Sequence, residues 1–194
     1  MKTVKAPYLV CLLMTAWLPA FTQAEVMNEA AGAHLTIVNF IMENDTKGWE
    51  VQDDVVMGGR SAGSFAMNSD GHGVFSGKVS LENNGGFSSI QHTFDAIDVS
   101  AYTTACMRIK GDGKHYQFRV KSSSRERWSY LYEFETSGAW QTIEVPLAEM
   151  YPSFRGTRLT LPNYPRLTMA HMRFLIGNKK AESFVLQIDK IWLK

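Results

Sequence analysis

The sequence predicts an all-β domain, an antiparallel sandwich or barrel, on three observations. Short runs alternate apolar and polar side chains with a period of two, as a strand with one buried face requires. Turn-forming residues separate these runs at close intervals. Helical periodicity is confined to a possible turn at Ala148-Glu-Met150 and another over Leu167 to His171. Many short strands with regular turns fit a sandwich or a barrel.

In chain order, Met1 to Ala24 has the three parts of a secretory signal. Lys2 and Lys5 open it, Leu9 to Leu18 is apolar, and Thr22-Gln-Ala24 places small residues before a cleavage site at Glu25. The apolar run is shorter than the roughly 20 residues a spanning helix needs, so no stable membrane span is expected after cleavage. A mitochondrial presequence would be Arg-rich, and this segment holds no arginine. The expectation is export to the periplasm or beyond. Residues 25–34, rich in alanine and glycine, read as a short leader, and residues 35–194 as one domain.

Within that domain, Phe75, Gly77, Val79 and Leu81 share one face of a strand. Ala105, Met107 and Ile109 oppose Cys106, Arg108 and Lys110, and Tyr116, Phe118 and Val120 oppose Gln117, Arg119 and Lys121. Trp128 to Phe134, Gln141 to Leu147 and Phe184 to Leu193 complete the series. Gly111-Asp-Gly-Lys114 reads as the turn of a hairpin between the strands ending at Lys110 and starting at His115. On that reading Arg108, Lys110, Arg119 and Lys121 share a wet sheet face. The segment Tyr151 to Arg166 carries three prolines, which withhold ladder N–H groups, and reads as a long surface loop or edge. Trp140 and most of the Trp128–Phe134 face are expected in the core, with Tyr151 and Tyr164 better candidates for exposure.

Charge excludes a nucleic-acid binder. The chain carries 20 basic and 19 acidic residues. Without Lys2 and Lys5 the balance becomes 18 against 19, with no basic stripe. Cleavage after Ala24 would also leave Cys106 as the sole cysteine, a buried and inert thiol with no disulfide partner.

Two segments stand apart. Trp49 to Ser61 holds paired acids and a Met-Gly-Gly turn, and Gly73 to Phe87 ends in a second Gly-Gly. Paired glycines reach backbone angles other residues avoid, so both mark sharply shaped loops expected to lie together. Asp54-Val-Val-Met-Gly-Gly59, Val79 to Phe87, Lys110-Gly-Asp-Gly-Lys114, Tyr116, Phe118-Arg119, Trp140-Gln-Thr142, Pro152-Ser-Phe-Arg-Gly156 and Ile188-Asp-Lys-Ile191 recur in shared order and spacing in one family. The chain thereby resembles the complex I intermediate-associated protein 30 family from Trp49 almost to its end. The resemblance implies a galactose-binding-like jelly-roll β-sandwich. It also implies a helper in respiratory complex I assembly with no known catalysis, although export would put this chain on the opposite side of the membrane from that role.

Catalytic and metal signals are weak. Gly59-Arg-Ser-Ala-Gly63 has the spacing of a hydrolase nucleophile elbow, but turn-like residues follow it where that chemistry needs a helix. The five histidines have no ligand spacing, and Asp53, Asp54 and Asp70 match no calcium loop. No enzyme, cofactor or metal site is expected. The leading expectation is a binding module that recognises a protein partner as an assembly or chaperone-like factor; the alternative is an exported carbohydrate-binding module taking a glycan. The candidate binding residues are Asp53, Asp54, Met57, Arg60, Glu82, Asn83 and Asn84, with Arg155 outlying. Acids, amides and arginines in shaped loops present fixed donors and acceptors.

Overall fold

A computed structural model describes residues 34–194, so the signal segment, its cleavage site and nearly all of the leader lie outside the described residues. Thirteen strands form two antiparallel sheets. They are β1 (Leu35–Asn39), β2 (Trp49–Asp53), β3 (Ala62–Met67), β4 (Gly73–Val79), β5 (Ser88–Asp98), β6 (Thr104–Lys110), β7 (His115–Lys121), β8 (Ser129–Glu135), β9 (Trp140–Pro146), β10 (Tyr151–Phe154), β11 (Thr157–Arg158), β12 (Thr168–Ile176) and β13 (Glu182–Leu193). One sheet runs β3-β4-β13-β6-β9, with β1 also on β13; the other runs β11-β10-β8-β7-β12-β5-β2. Among the described residues helix is limited to α1 (Phe40–Glu43) and three short 3₁₀ turns. None is long and apolar enough to cross a membrane. The jelly-roll sandwich implied by the sequence is the architecture found.

Alternation builds the core. Phe75, Phe184, Leu186, Met107 and Ile109 face inward from the first sheet, and Ile90, Phe118, Phe134, Phe174 and Met172 from the second. The alternation is reset once along β13 and once along β12. In β13 the register shifts between Ile188 and Lys190, so Phe184, Leu186 and Ile188 hand over to Ile191 and Leu193. Between Met169 and His171 the pairing of β12 with β5 becomes irregular, with the extra residues on β5, and Met169 and Met172 both point into the core. In β13 one extra residue moves every later side chain to the other face, and that bulge is what keeps both halves of the strand buried.

Four expectations are corrected. Gly111 to Lys114 is not a hairpin turn, because β6 pairs with β13 and β9 while β7 pairs with β8 and β12. It links the two sheets, so Arg108 and Lys110 lie on a different sheet from Arg119 and Lys121 and form no shared patch. The segment Leu167 to His171 enters strand β12 and forms no helical turn. Tyr164 is buried, 5.1 Å from the Tyr130 ring, with its hydroxyl donating to Thr168 O at 2.6 Å. Trp140 is half-buried outside the core, against His72 at 4.5 Å and under the Arg108 guanidinium at 5.4 Å. The proline-rich segment does supply an edge, β10 and β11, followed by irregular chain.

Candidate functional site: a cleft across the seven-stranded sheet

The two glycine-paired loops meet around one carboxylate. Asp54 is fully buried. Its Oδ1 accepts from Ser61 N at 2.9 Å, and its Oδ2 from Ser61 Oγ at 2.5 Å, Gly86 N at 2.6 Å and Phe87 N at 3.2 Å. Burial alone would raise its pKa, but these donors together outweigh burial and hold it below the ordinary carboxylate value. Asp53 is likewise engaged, accepting from Gly63 N at 2.9 Å and Ser88 Oγ at 2.5 Å. Arg60 and Glu82 join the two loops at the surface, 3.3 Å apart and both well exposed. Asn83 and Asn84 adopt left-handed angles, φ 55° and 60°, in the second loop. Ser61 is committed here too, since its hydroxyl donates to Asp54 and accepts from Ser80 N at 3.0 Å. It does not stand free as an elbow nucleophile would. Among the described residues no group of three or more His, Cys, Asp or Glu is arranged to hold a metal ion.

Beside these loops, the outer face of the seven-stranded sheet carries a cleft of about 690 Å³. Of the eight candidates, Met57 and Arg155 line it. The other six lie in the adjoining loops or beneath them. The cleft floor comes from residues the sequence left unassigned to a site. Strand registers align Glu50, Gln91, Arg173, Arg119, Leu131 and Tyr151 in one row across six strands. A second pairing puts His171 opposite Lys121. Gln52 and Gln117 border the first row. Trp128, Phe154 and Phe87 form apolar walls, and Arg127 and Arg155 hold guanidinium groups 5.7 and 5.4 Å from the Phe154 ring.

Burial shifts the titration of the floor. It lowers the Arg119 pKa, and it lowers that of Arg173 to about 10, with repulsion from Arg119 adding to the effect. His171 falls to about 3, through burial and then through Arg173, Lys121 and His92, so it is neutral at ordinary pH. Arg119, at 9 % exposure, donates from Nε and Nη2 to Gln117 Oε1 at 3.1 and 2.7 Å and from Nη1 to Ser129 Oγ at 3.3 Å. Arg173 Nη2 donates to Gln52 Oε1 at 2.6 Å and to Gln91 Oε1. Chemically, the cleft offers fixed cationic and amide donors between aromatic walls. One sequence signal pointed here: Gln117, Arg119 and Lys121 alternate outward along β7. Arg173 gave none, because its strand was not recognised.

A family model described as Complex I intermediate-associated protein 30 matches residues 38–188. No curated protein matches the chain. Among solved structures, it is similar to the family 11 carbohydrate-binding module of a cellulosomal cellulase from Clostridium thermocellum, with a TM-score of 0.62 and 16% identity over 84% of this chain and 95% of that one. A second structure of a Clostridium thermocellum family 11 module, in complex with a β-1,3-1,4-mixed-linked tetrasaccharide, gives a TM-score of 0.59 and 16% identity over 82% and 94% of the two chains. A family 30 carbohydrate-binding module gives 0.55 and 14% over 82% and 98%. At such identities the likeness is one of fold.

Proposed function

The chain belongs to the Complex I intermediate-associated protein 30 family, and we propose that it is a non-catalytic binding module holding an extended glycan in the cleft of the seven-stranded sheet. The carrying observation is the cleft itself. It is a trough on a rigid sheet, with amide and guanidinium donors on its floor and aromatic rings at its walls. Sugar hydroxyls need fixed donors and acceptors, and sugar ring faces need flat apolar surfaces. The solved tetrasaccharide complex of a similar sandwich gives the reading a precedent in fold alone. Export with cleavage after Ala24 belongs to the same proposal, since it would expose the cleft to extracellular polysaccharide.

A second reading, a protein partner in an assembly role, has its own observation. Val55, Val56 and Met57 are 60, 68 and 59 % exposed, on a loop pinned by Asp54, and the latter two reach the cleft. Exposed apolar side chains on a rigid loop suit a protein contact. A glycan array with the mature domain, paired with Trp128→Ala, separates the readings. Retention of a polysaccharide that Trp128→Ala abolishes supports the glycan. An empty array, with envelope proteins captured through a surface that Met57→Asp destroys, overturns it in favour of the partner.

A further inference from the structure

The most unusual pairing in the cleft floor is between like charges. Arg119 and Arg173 are direct cross-strand partners on β7 and β12, the inner strands of the sheet. Like charges directly opposite each other destabilise a strand pair. Here the cost is increased by burial, since Arg119 is nine-tenths buried. Neither arginine is paired with a carboxylate. Among the described residues Arg119, Arg173, Lys121, Arg127 and Arg155 make no salt bridge, although six such pairs occur elsewhere.

Carboxylates are within reach and are held off. Glu133 Oε1 accepts from Gln117 Nε2 at 3.1 Å, and the same glutamine's Oε1 accepts from Arg119. Glu50 Oε2 accepts from Gln91 Nε2 at 3.2 Å, and that glutamine's Oε1 accepts from Arg173. The arrangement is repeated: arginine, glutamine, glutamate, once on each side of the floor. A neutral amide orients each guanidinium while leaving its charge unneutralised. Lys121 is similar, its Nζ donating to the Glu126 main-chain carbonyl at 2.8 Å while that residue's carboxylate accepts from Ser122 N. Arg173 Nη1 makes no hydrogen bond among the described residues. A fold that spaces three cations from three nearby acids keeps positive charge in the cleft.

Resting on the glycan reading, we propose that the cleft is selective for an anionic polysaccharide, with Arg119 and Arg173 receiving its acidic groups. A planar guanidinium fork matches a carboxylate or sulfate bidentately. Bringing such anions in offsets the repulsion between the like charges of the floor, so binding stabilises the sandwich beyond its contact area. The aromatic walls give the sugar rings a seat that a plain polyanion would not use.

The test is calorimetric titration of the mature domain with polygalacturonate, dextran sulfate, neutral β-1,3-1,4-glucan and polyglutamate, at low and high salt. The informative variant is Gln91→Glu/Gln117→Glu, which keeps both side-chain shapes and sets a carboxylate against each arginine. Wild-type protein is expected to bind polygalacturonate or dextran sulfate at least tenfold more tightly than the neutral glucan, and less tightly at high salt. The arm that binds identifies carboxylate or sulfate as the recognised group. The double variant, which also gives up the amide donors to Glu50 and Glu133, is expected to lose at least tenfold in that affinity while still melting cooperatively, and Arg173→Gln to lose a similar amount. Binding to neutral glucan alone overturns the anionic selectivity and leaves the glycan reading standing. No binding to any polysaccharide overturns both. Equal binding of polyglutamate, or full affinity in both variants, overturns the arginine clamp.

Discussion

Gly86 donates its N–H to Asp54 Oδ2 at 2.6 Å, a bond across 32 residues that makes the two glycine-paired loops one object. The glycines divide the work. Gly58 and Gly86 take left-handed or extended positive angles, φ 92° and 145°, that turn the chain. Gly59 and Gly85 close against the carboxylate itself: a Cβ on either would lie 2.3 Å from Oδ1 or 2.7 Å from Oδ2. The sequence pattern of an acid followed by two Gly-Gly pairs is thus the record of one buried anion and the backbone that wraps it.

Asp54→Ala is therefore expected to destabilise the domain by about 3 kcal/mol, because it strands donors from Ser61, Gly86 and Phe87 without an acceptor. That corresponds to a Tm lowered on the order of 10 °C. Arg60→Ala, breaking an exposed pair, is expected to change stability by less than about 1 kcal/mol. Urea unfolding of both variants checks the contrast, and equal losses would refute the assignment of Asp54 as the interior tie.

The two glycines of the first pair should respond differently to alanine. A Cβ at Gly58 meets nothing within 4 Å, so Gly58→Ala carries only the left-handed backbone cost of about 1 kcal/mol. Gly59→Ala drives its Cβ into a carboxylate fixed by donors from two loops, and overpacking there is expected to cost about 3 kcal/mol. Differential scanning calorimetry resolves the difference. A Gly58 variant as unstable as the Gly59 variant would show that the turn, and not the close approach, is what glycine secures.

Local alternation made most strands legible, and the inward face of β7 was readable because the strand has no bulge, although Arg119 on its other face is buried and not wet. Pairing was not legible. A short glycine turn between two strands favours a hairpin, but His115 to Lys121 crosses to the other sheet, where β8 and β12 complete its ladder. The irregular pairing of β12 with β5 hid a second strand. It brings Met169 and Met172 inward at a spacing of three, which in sequence imitates a helical face. The cleft suffered from both effects, since Arg119 was visible as an outward cation while its neighbour Arg173 sat on the strand that was missed. Met57 and Arg155, which line the cleft, belong to loops whose turn chemistry is local.

Cys106 should be inert while the fold persists. It is fully buried, in register with Trp192 on one side and Glu144 on the other, and burial raises its thiol pKa. A buried thiol with little thiolate reacts slowly. Iodoacetamide at pH 8 is expected to leave native protein unlabelled and to alkylate Cys106 fully in denaturant. Rapid native labelling, followed by mass spectrometry, would contradict the burial.

Acid should destabilise the domain in two stages that differ in origin. The folded pKa of His171 lies at about 3, below its unfolded value near 6.5, so the unfolded chain binds the extra proton first as pH falls. Stability contributed by keeping His171 neutral is complete above pH 6.5 and declines below it, by on the order of 1 kcal/mol per pH unit, until the folded ring protonates near pH 3. Asp54 acts in the same direction but later: its folded pKa is depressed, so its contribution is present above the unfolded value of 3.8 and is lost as pH falls through the folded one. His171→Gln, which retains a polar group toward Gln91, is expected to flatten the decline of Tm between pH 6.5 and 4 while leaving the steeper loss below pH 4. Thermal melts of both proteins across that range decide the matter. An unchanged slope in the variant would mean that protonating His171 between Arg173 and Lys121 is not what the folded sheet resists.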